Sequence, residues 1–332
     1  MRRREFILGV GGTAYAFASS LASAQQVDLS DQVRRVAVLL LGAENDPVAM
    51  RRVLALRDGL GMLGWVEGRN LRLDYRFGAA DPHRLRTYAE ELVGLTPDVI
   101  VTGAAPATKA VQQLTRTIPI VFVEVTNAAA FGLNENMVRT DTNTTGITNI
   151  YLAIGARWVE LLKQAAPSTR KIAVLLKPEF DSRGYMGAIE AAATSYDVKV
   201  VKTPVRHGED IKHVLRSLAG DSHIALLMVP PTPAFDEVEL IFRLATRYRL
   251  PAIYPTRGFA AAGGLMAFGT DSAELFRNAA GYVDRILHGA KPGDLTIQFP
   301  TKFDLVINRK VAKAIGLEFP QSLVARATQV IE

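Results

Sequence analysis

From Arg35 onward the chain alternates short apolar runs with longer stretches whose apolar positions recur at spacings of three and four. Arg35–Leu41 (RVAVLLL) is a continuous apolar run, as a strand buried on both faces requires. Ala49, Val53, Leu56, Leu60 and Leu63 then fall on one face of a helix. The order repeats through strand Leu71–Phe77, helix Leu85–Leu95, strand Asp98–Thr102, helix Pro106–Leu114 and strand Ile118–Val125. Short buried strands separated by amphipathic helices imply right-handed crossovers and a parallel, doubly wound sheet.

After a polar connector, Arg139–Gly146 (RTDTNTTG), the series starts again. Helix Ile154–Ala165, with Ile154, Trp158, Leu161, Leu162 and Ala165 inward, leads to strand Lys171–Leu176. Helix Gly184–Ser195, strand Val198–Val201, helix Ile211–Leu218, strand His223–Val229, helix Asp236–Arg249 and strand Pro251–Tyr254 follow. Two series with the same order of elements predict two Rossmann-like α/β lobes instead of one wide sheet. The remainder, Gly263–Gly269, helix Ala273–His288 and Thr301–Gly316, is too short for a third domain and is expected to complete both lobes. The expected division is residues 25–145 plus about 263–290 for the first lobe. Residues 146–262 plus about 291–332 form the second.

Composition changes the picture at the N-terminus. Arg2, Arg3 and Arg4 precede a mildly apolar run to Leu21, then Ala22-Ser23-Ala24 before Gln25. Positive charge, a short apolar core and an Ala-x-Ala end are the parts of an export signal over residues 1–24, cleaved near Ala24/Gln25. Arg3-Arg4-Glu5-Phe6-Ile7 also fits a twin-arginine signal. The chain contains no cysteine, which excludes disulfides, thiol nucleophiles and a lipid-anchored cleavage site. The expected location is therefore the periplasm, without a lipid anchor. A formal net charge of +6 without a Lys/Arg block points to a mixed solvated surface, so no nucleic-acid partner is expected.

Chemistry is sparse. No G-x-G-x-x-G follows the first strand, and P-loop, G-x-S-x-G and H-E-x-x-H motifs are absent. The five histidines lack metal-ligand spacing, so neither a metal nor a cofactor is expected. What remains is a set of loops at the carboxyl ends of strands, where open α/β sheets bind ligands. The first series contributes Gly42 and Ala43, Gly103-Ala104-Ala105-Pro106, and Thr126-Asn127. Gly103–Pro106 opens into a helix whose N-terminal N–H groups suit an anion. The second contributes Lys177–Ser182 with Lys177 and Asp181, Pro230–Pro233 with Thr232, and Tyr254–Arg257. Lys177 and Arg257 are cations that could face an anionic ligand, and Tyr254 could stack on a ring.

Several motifs carry a family resemblance. Arg35–Leu41, Gly61–Asn70 (GMLGWVEGRN), Asp98–Thr102 (DVIVT) and Thr117–Phe122 (TIPIVF) resemble the substrate-binding proteins of ABC transporters that include tryptophan- and tyrosine-type receptors. So do Pro251–Tyr254, Ala262–Gly269 (AGGLMAFG), Thr301–Asn308 (TKFDLVIN) and Ala314–Leu317. The resemblance spans nearly the whole chain after the signal. It implies a type I periplasmic binding protein, two lobes joined by three hinge crossings with solute clamped between them. It also implies a membrane permease and an ATPase as partners, no enzymatic activity, and a monomer.

The departures bear on the solute. Ala105 stands where the family carries a hydroxyl, Asn127-Ala128 where it has Asp-Pro, Lys177 where it has Asn, and Pro231 at a polar position. The family's crossing motif keeps only Arg139, Asn143, Thr145 and Gly146. Loss of carboxylates and gain of Lys177 favour a carboxylate ligand, aromatic or aliphatic. Glu44, Glu124 or Asp181 would supply the negative charge that an amino-acid-like solute needs. An exported enzyme on a similar scaffold and a ligand sensor for a signalling receptor are the alternatives that the sequence leaves open.

Overall fold

The computed structural model describes residues 33–125, 143–149, 153–178, 183–230 and 235–332. The export signal, and Thr126, Asn127, Asp181 and Thr232 of the expected site, lie outside the described residues.

A five-stranded parallel sheet is ordered β2-β1-β3-β4-β5. It comprises β1 (Arg34–Leu40), β2 (Leu71–Phe77), β3 (Val99–Gly103), β4 (Ile120–Val125) and β5 (Thr144–Thr148). Alternation decides its faces: Val36, Val38 and Leu40 join the cluster under α1 (Pro47–Met62) and α9 (Ser272–Leu287). Ala37 and Leu39 join the cluster under α2 (Pro82–Gly94) and α3 (Ala105–Gln112). Asp46 and Asp81 start α1 and α2, each accepting a backbone N–H with its carboxylate ahead of a proline. Gly59 lets α1 and α9 touch, since a Cβ there would stand 2.6 Å from the Arg277 carbonyl.

The second sheet has seven strands, ordered β12-β11-β10-β9-β8-β6-β7. They are β6 (Lys171–Leu176), β7 (Lys199–Pro204), β8 (Ile224–Met228), β9 (Ala252–Tyr254), β10 (Met266–Gly269), β11 (Asp304–Asn308) and β12 (Gln329–Ile331). Only the β10–β11 pair is antiparallel. Ile172 and Val174 face α4 (Ile154–Ala165) and α5 (Arg183–Ser195). Ala173 and Leu175 face α6 (Gly208–Leu218) and α7 (Phe235–Arg247). Three short helices, α8 (Arg257–Ala261), α10 (Arg309–Ile315) and α11 (Gln321–Arg326), complete this lobe. The expected doubly wound two-lobe architecture is what the chain forms. Among the described residues no helix is long and apolar enough to cross a membrane.

Three details differ from the sequence reading. The polar connector ends in a strand, β5, whose five residues are all buried. Its threonines find partners for their hydroxyls: Thr145 donates to the Leu295 carbonyl at 2.8 Å and Thr148 to that of Val125 at 2.7 Å. Second, segment 263–290 is divided, because β10 pairs in the second sheet while α9 packs on α1 in the first lobe. Third, Arg257 begins a helix, not a loop. The chain passes between lobes three times: after β5, at Thr270-Asp271, and between Gln298, which bridges to Ile147, and β11.

Candidate functional site

A cleft of about 650 Å³ opens between the lobes where the carboxyl ends of both sheets face each other. The first lobe supplies Arg51 and Arg52 from α1, Ala104 at the start of α3, and Glu124 from β4. The crossings supply Asn149 and Asp271; the second lobe supplies Trp158, Tyr185 and Arg257.

Glu124 reaches the cleft because β4 is irregular. The register against β5 shifts between Val123 and Val125, and Glu124 takes φ +63°, a conformation that L residues adopt at a cost of about 1–3 kcal/mol. Its carboxylate meets the Arg52 guanidinium at 2.7 Å, both side chains mostly buried. Arg52 is held further by its Nε donating to Ser272 Oγ at 2.6 Å and by the Phe276 ring, 5.8 Å from the guanidinium carbon. The cation is thus fixed from three directions.

A second ionic group spans the lobes. Asp271, which caps α9 by accepting the Ala273 N–H, takes the Arg257 guanidinium at 2.8 Å and that of Arg51 at 3.5 Å. Arg257 also meets buried Asp304 at 3.1 Å. Among the described residues, Arg51, Arg52 and Arg257 of the cleft therefore stand against three carboxylates, Glu124, Asp271 and Asp304, and these charges match.

The opposite wall is backed by two largely buried aromatic residues. Trp158 donates its indole N–H to the Phe268 carbonyl at 2.7 Å, which sets its ring 5.7 Å from Tyr185. Burial pushes the Tyr185 phenol up to about 12, so it stays protonated near neutral pH. Beside them, Asn149 Oδ1 is buried with no hydrogen-bond partner among the described residues, an acceptor awaiting a donor.

The expected site residues are sorted by this geometry. Ala104 lines the cleft at φ +71°, but its N–H is used by the Val123 carbonyl at 2.8 Å and is not free for an anion. Gly103 is buried against Leu40 and Phe276, and Ala105 packs on Phe122, Val125 and Ile297, so both back the wall without forming it. Gly42 and Ala43 form the turn into α1, outside the cleft wall. Lys177 is half-buried after β6 and also lies outside that wall.

One expectation is corrected. Tyr254 is 1% exposed, with Phe242 edge-on at 4.9 Å, so the central strand and α7 leave it no face on which a solute could stack. Arg257 lines the cleft, where it pairs with Asp271 and Asp304. The sequence reading missed Arg52, Trp158, Tyr185, Asn149 and Asp271 as cleft residues. One signal was present: Glu124 interrupts the apolar run IVFVEV. Trp158 obeyed the core periodicity of its helix and offered none. Among the described residues no group of three or more His, Cys, Asp or Glu could hold a metal ion.

Related proteins share this architecture. A tyrosine-binding protein of Clostridioides difficile is 24% identical over 257 residues, covering 77% of this chain and 73% of that protein. A conserved domain protein from Vibrio cholerae superposes with a TM-score of 0.78 at 27% identity, covering 90% of this chain and 100% of that one. An ABC domain from Streptococcus pneumonia in complex with L-Trp gives 0.78 at 21% identity, covering 90% and 99%. The model of the family described as ABC transporter substrate binding protein matches residues 39–331, and the chain belongs to that family.

Proposed function

We propose that this substrate-binding protein clamps an amphoteric aromatic carboxylate, an amino-acid-like solute, between its lobes and presents it to the permease and ATPase of an importer. The observation that carries this reading is the charge-matched cleft. A pocket with unopposed arginines would suit a simple anion, whereas Arg52 beside Glu124 suits a solute with both signs of charge. Tyr185 and the almost fully buried Trp158 back one side of the cleft with aromatic rings. The orphaned Asn149 oxygen favours a donor on the solute. The names of two relatives, a tyrosine-binding protein and a domain in complex with L-Trp, are consistent with that class.

Closure follows from the topology. The described residues of 33–148 with 272–298, and of 154–269 with 304–332, move as packed units while the crossings rotate. Solute touching both lobes favours the closed state by its differential contacts. We further propose that the protein works in the periplasm after removal of residues 1–24. Titration calorimetry with L-tyrosine, L-tryptophan and L-phenylalanine tests the solute class. Binding with recovery of unchanged solute supports it; failure of all three to bind overturns it.

A further inference from the structure

We infer that Arg52 and Glu124 form a selectivity dyad that requires the solute to carry an ammonium and a carboxylate together, an inference that rests on the solute class proposed above. Guanidinium has five donors, and the structure occupies Arg52 only in part: Nε donates to Ser272, and Nη2 is ion-paired with Glu124 Oε2. Neither Nη1 of Arg52 nor Oε1 of Glu124 has a hydrogen-bond partner among the described residues. Both side chains line the cleft. The dyad thus offers an acceptor for an ammonium beside a donor for a carboxylate.

The geometry is built, not incidental. The strand irregularity forces Glu124 out of the ladder at φ +63°, and the Phe276 ring and Ser272 hydroxyl pin Arg52. Because the two charges satisfy one another, neither Arg52 nor Glu124 is a bare ion before solute arrives. A simple carboxylate on Nη1 would share the one guanidinium with Glu124 and leave two carboxylates against a single, mostly buried cation. An amine without a carboxylate would do the converse. Only a solute with both groups keeps every charge partnered.

The test compares three probes that share a phenol ring: L-tyrosine, 3-(4-hydroxyphenyl)propanoate lacking the ammonium, and tyramine lacking the carboxylate. Native protein is expected to prefer L-tyrosine over both. Glu124→Gln should cut the preference over the propanoate by about tenfold or more, the range of a charge-assisted hydrogen bond. Arg52→Gln should cut the preference over tyramine similarly. Glu124→Asp keeps the charge and should restore part of the discrimination, which a merely structural role would not predict. Equal weakening of all three probes in the Gln variants, with preferences unchanged, overturns the dyad while leaving the solute class standing. Failure of native protein to bind L-tyrosine, L-tryptophan and L-phenylalanine overturns both.

Discussion

Tyr254 and Glu124 show how little a residue's type says about its role without its surroundings. Tyr254 ends a strand beside a loop that could bind solute, yet its ring lies inside the second lobe against Phe242 and Phe259. Tyr254→Phe should leave solute affinity within about threefold, whereas Tyr254→Ala should cost about 3–5 kcal/mol of stability in denaturant titration. A large affinity loss in the Phe variant would contradict the core assignment. The tyrosines also predict a pH dependence. Burial raises the phenol pKa values of Tyr75, Tyr185 and Tyr254 above the ordinary value of 10. The folded state then keeps protons that the unfolded state releases, so stability is intact below pH 10 and falls as pH rises above it. The slope approaches about 1.4 kcal/mol per pH unit for buried Tyr185 and Tyr254, and is smaller for Tyr75, which is partly open to solvent. Urea unfolding between pH 9 and 11 should show that decline, shallower in Tyr185→Phe. A flat profile would contradict it.

At the scale of elements, β5 is the instructive case. Threonine and asparagine read as a solvated connector, but β-branched threonines suit a strand once carbonyls accept their hydroxyls. Thr145→Val keeps the shape and removes the donor to Leu295, and should cost about 1–3 kcal/mol by thermal or chemical unfolding. Gly146 is more demanding: a Cβ there would stand 2.0 Å from the Phe122 carbonyl oxygen. Gly146→Ala should therefore abolish soluble folded protein or destabilise it severely, as circular dichroism would show. Strands such as β1 were legible because from Val36 to Leu40 both faces are buried and every position is apolar. Strand β5 was not, because its burial depends on carbonyls contributed by Val125 and Leu295, distant in the chain.

At the scale of the molecule, the proposed clamp requires two lobes to turn about three crossings. Small-angle scattering should show compaction at saturating solute, and an unchanged profile would count against a clamp. Arg257 joins second-lobe Asp304 to Asp271, the residue from which α9 departs into the first lobe. Arg257→Ala leaves Asp304 buried without its cation. It should lower stability by about 1–3 kcal/mol and broaden the distribution of lobe orientations. A variant as stable as the native protein, with the same scattering profile, would show the link to be idle.

The sequence by itself determined the alternation of strands and helices, the doubling of that series and the family to which its motifs belong. Each of these is a local property: burial on two faces demands apolar runs, and an amphipathic helix announces itself at a period of 3.6. Only the tertiary structure decided which side chains meet. Arg52 and Ser272 are 220 residues apart, and nothing within either neighbourhood points to the other. Glu124 enters the cleft through a strand irregularity that exists only because β5 pairs beside it. Lys177 and Tyr254 looked poised for a ligand, and the lobes placed one beside the cleft wall and the other in a core. Periodicity reports how much of an element is covered, but not by what. A binding site is defined by those long-range neighbours, so its chemistry becomes visible only when both lobes are in place.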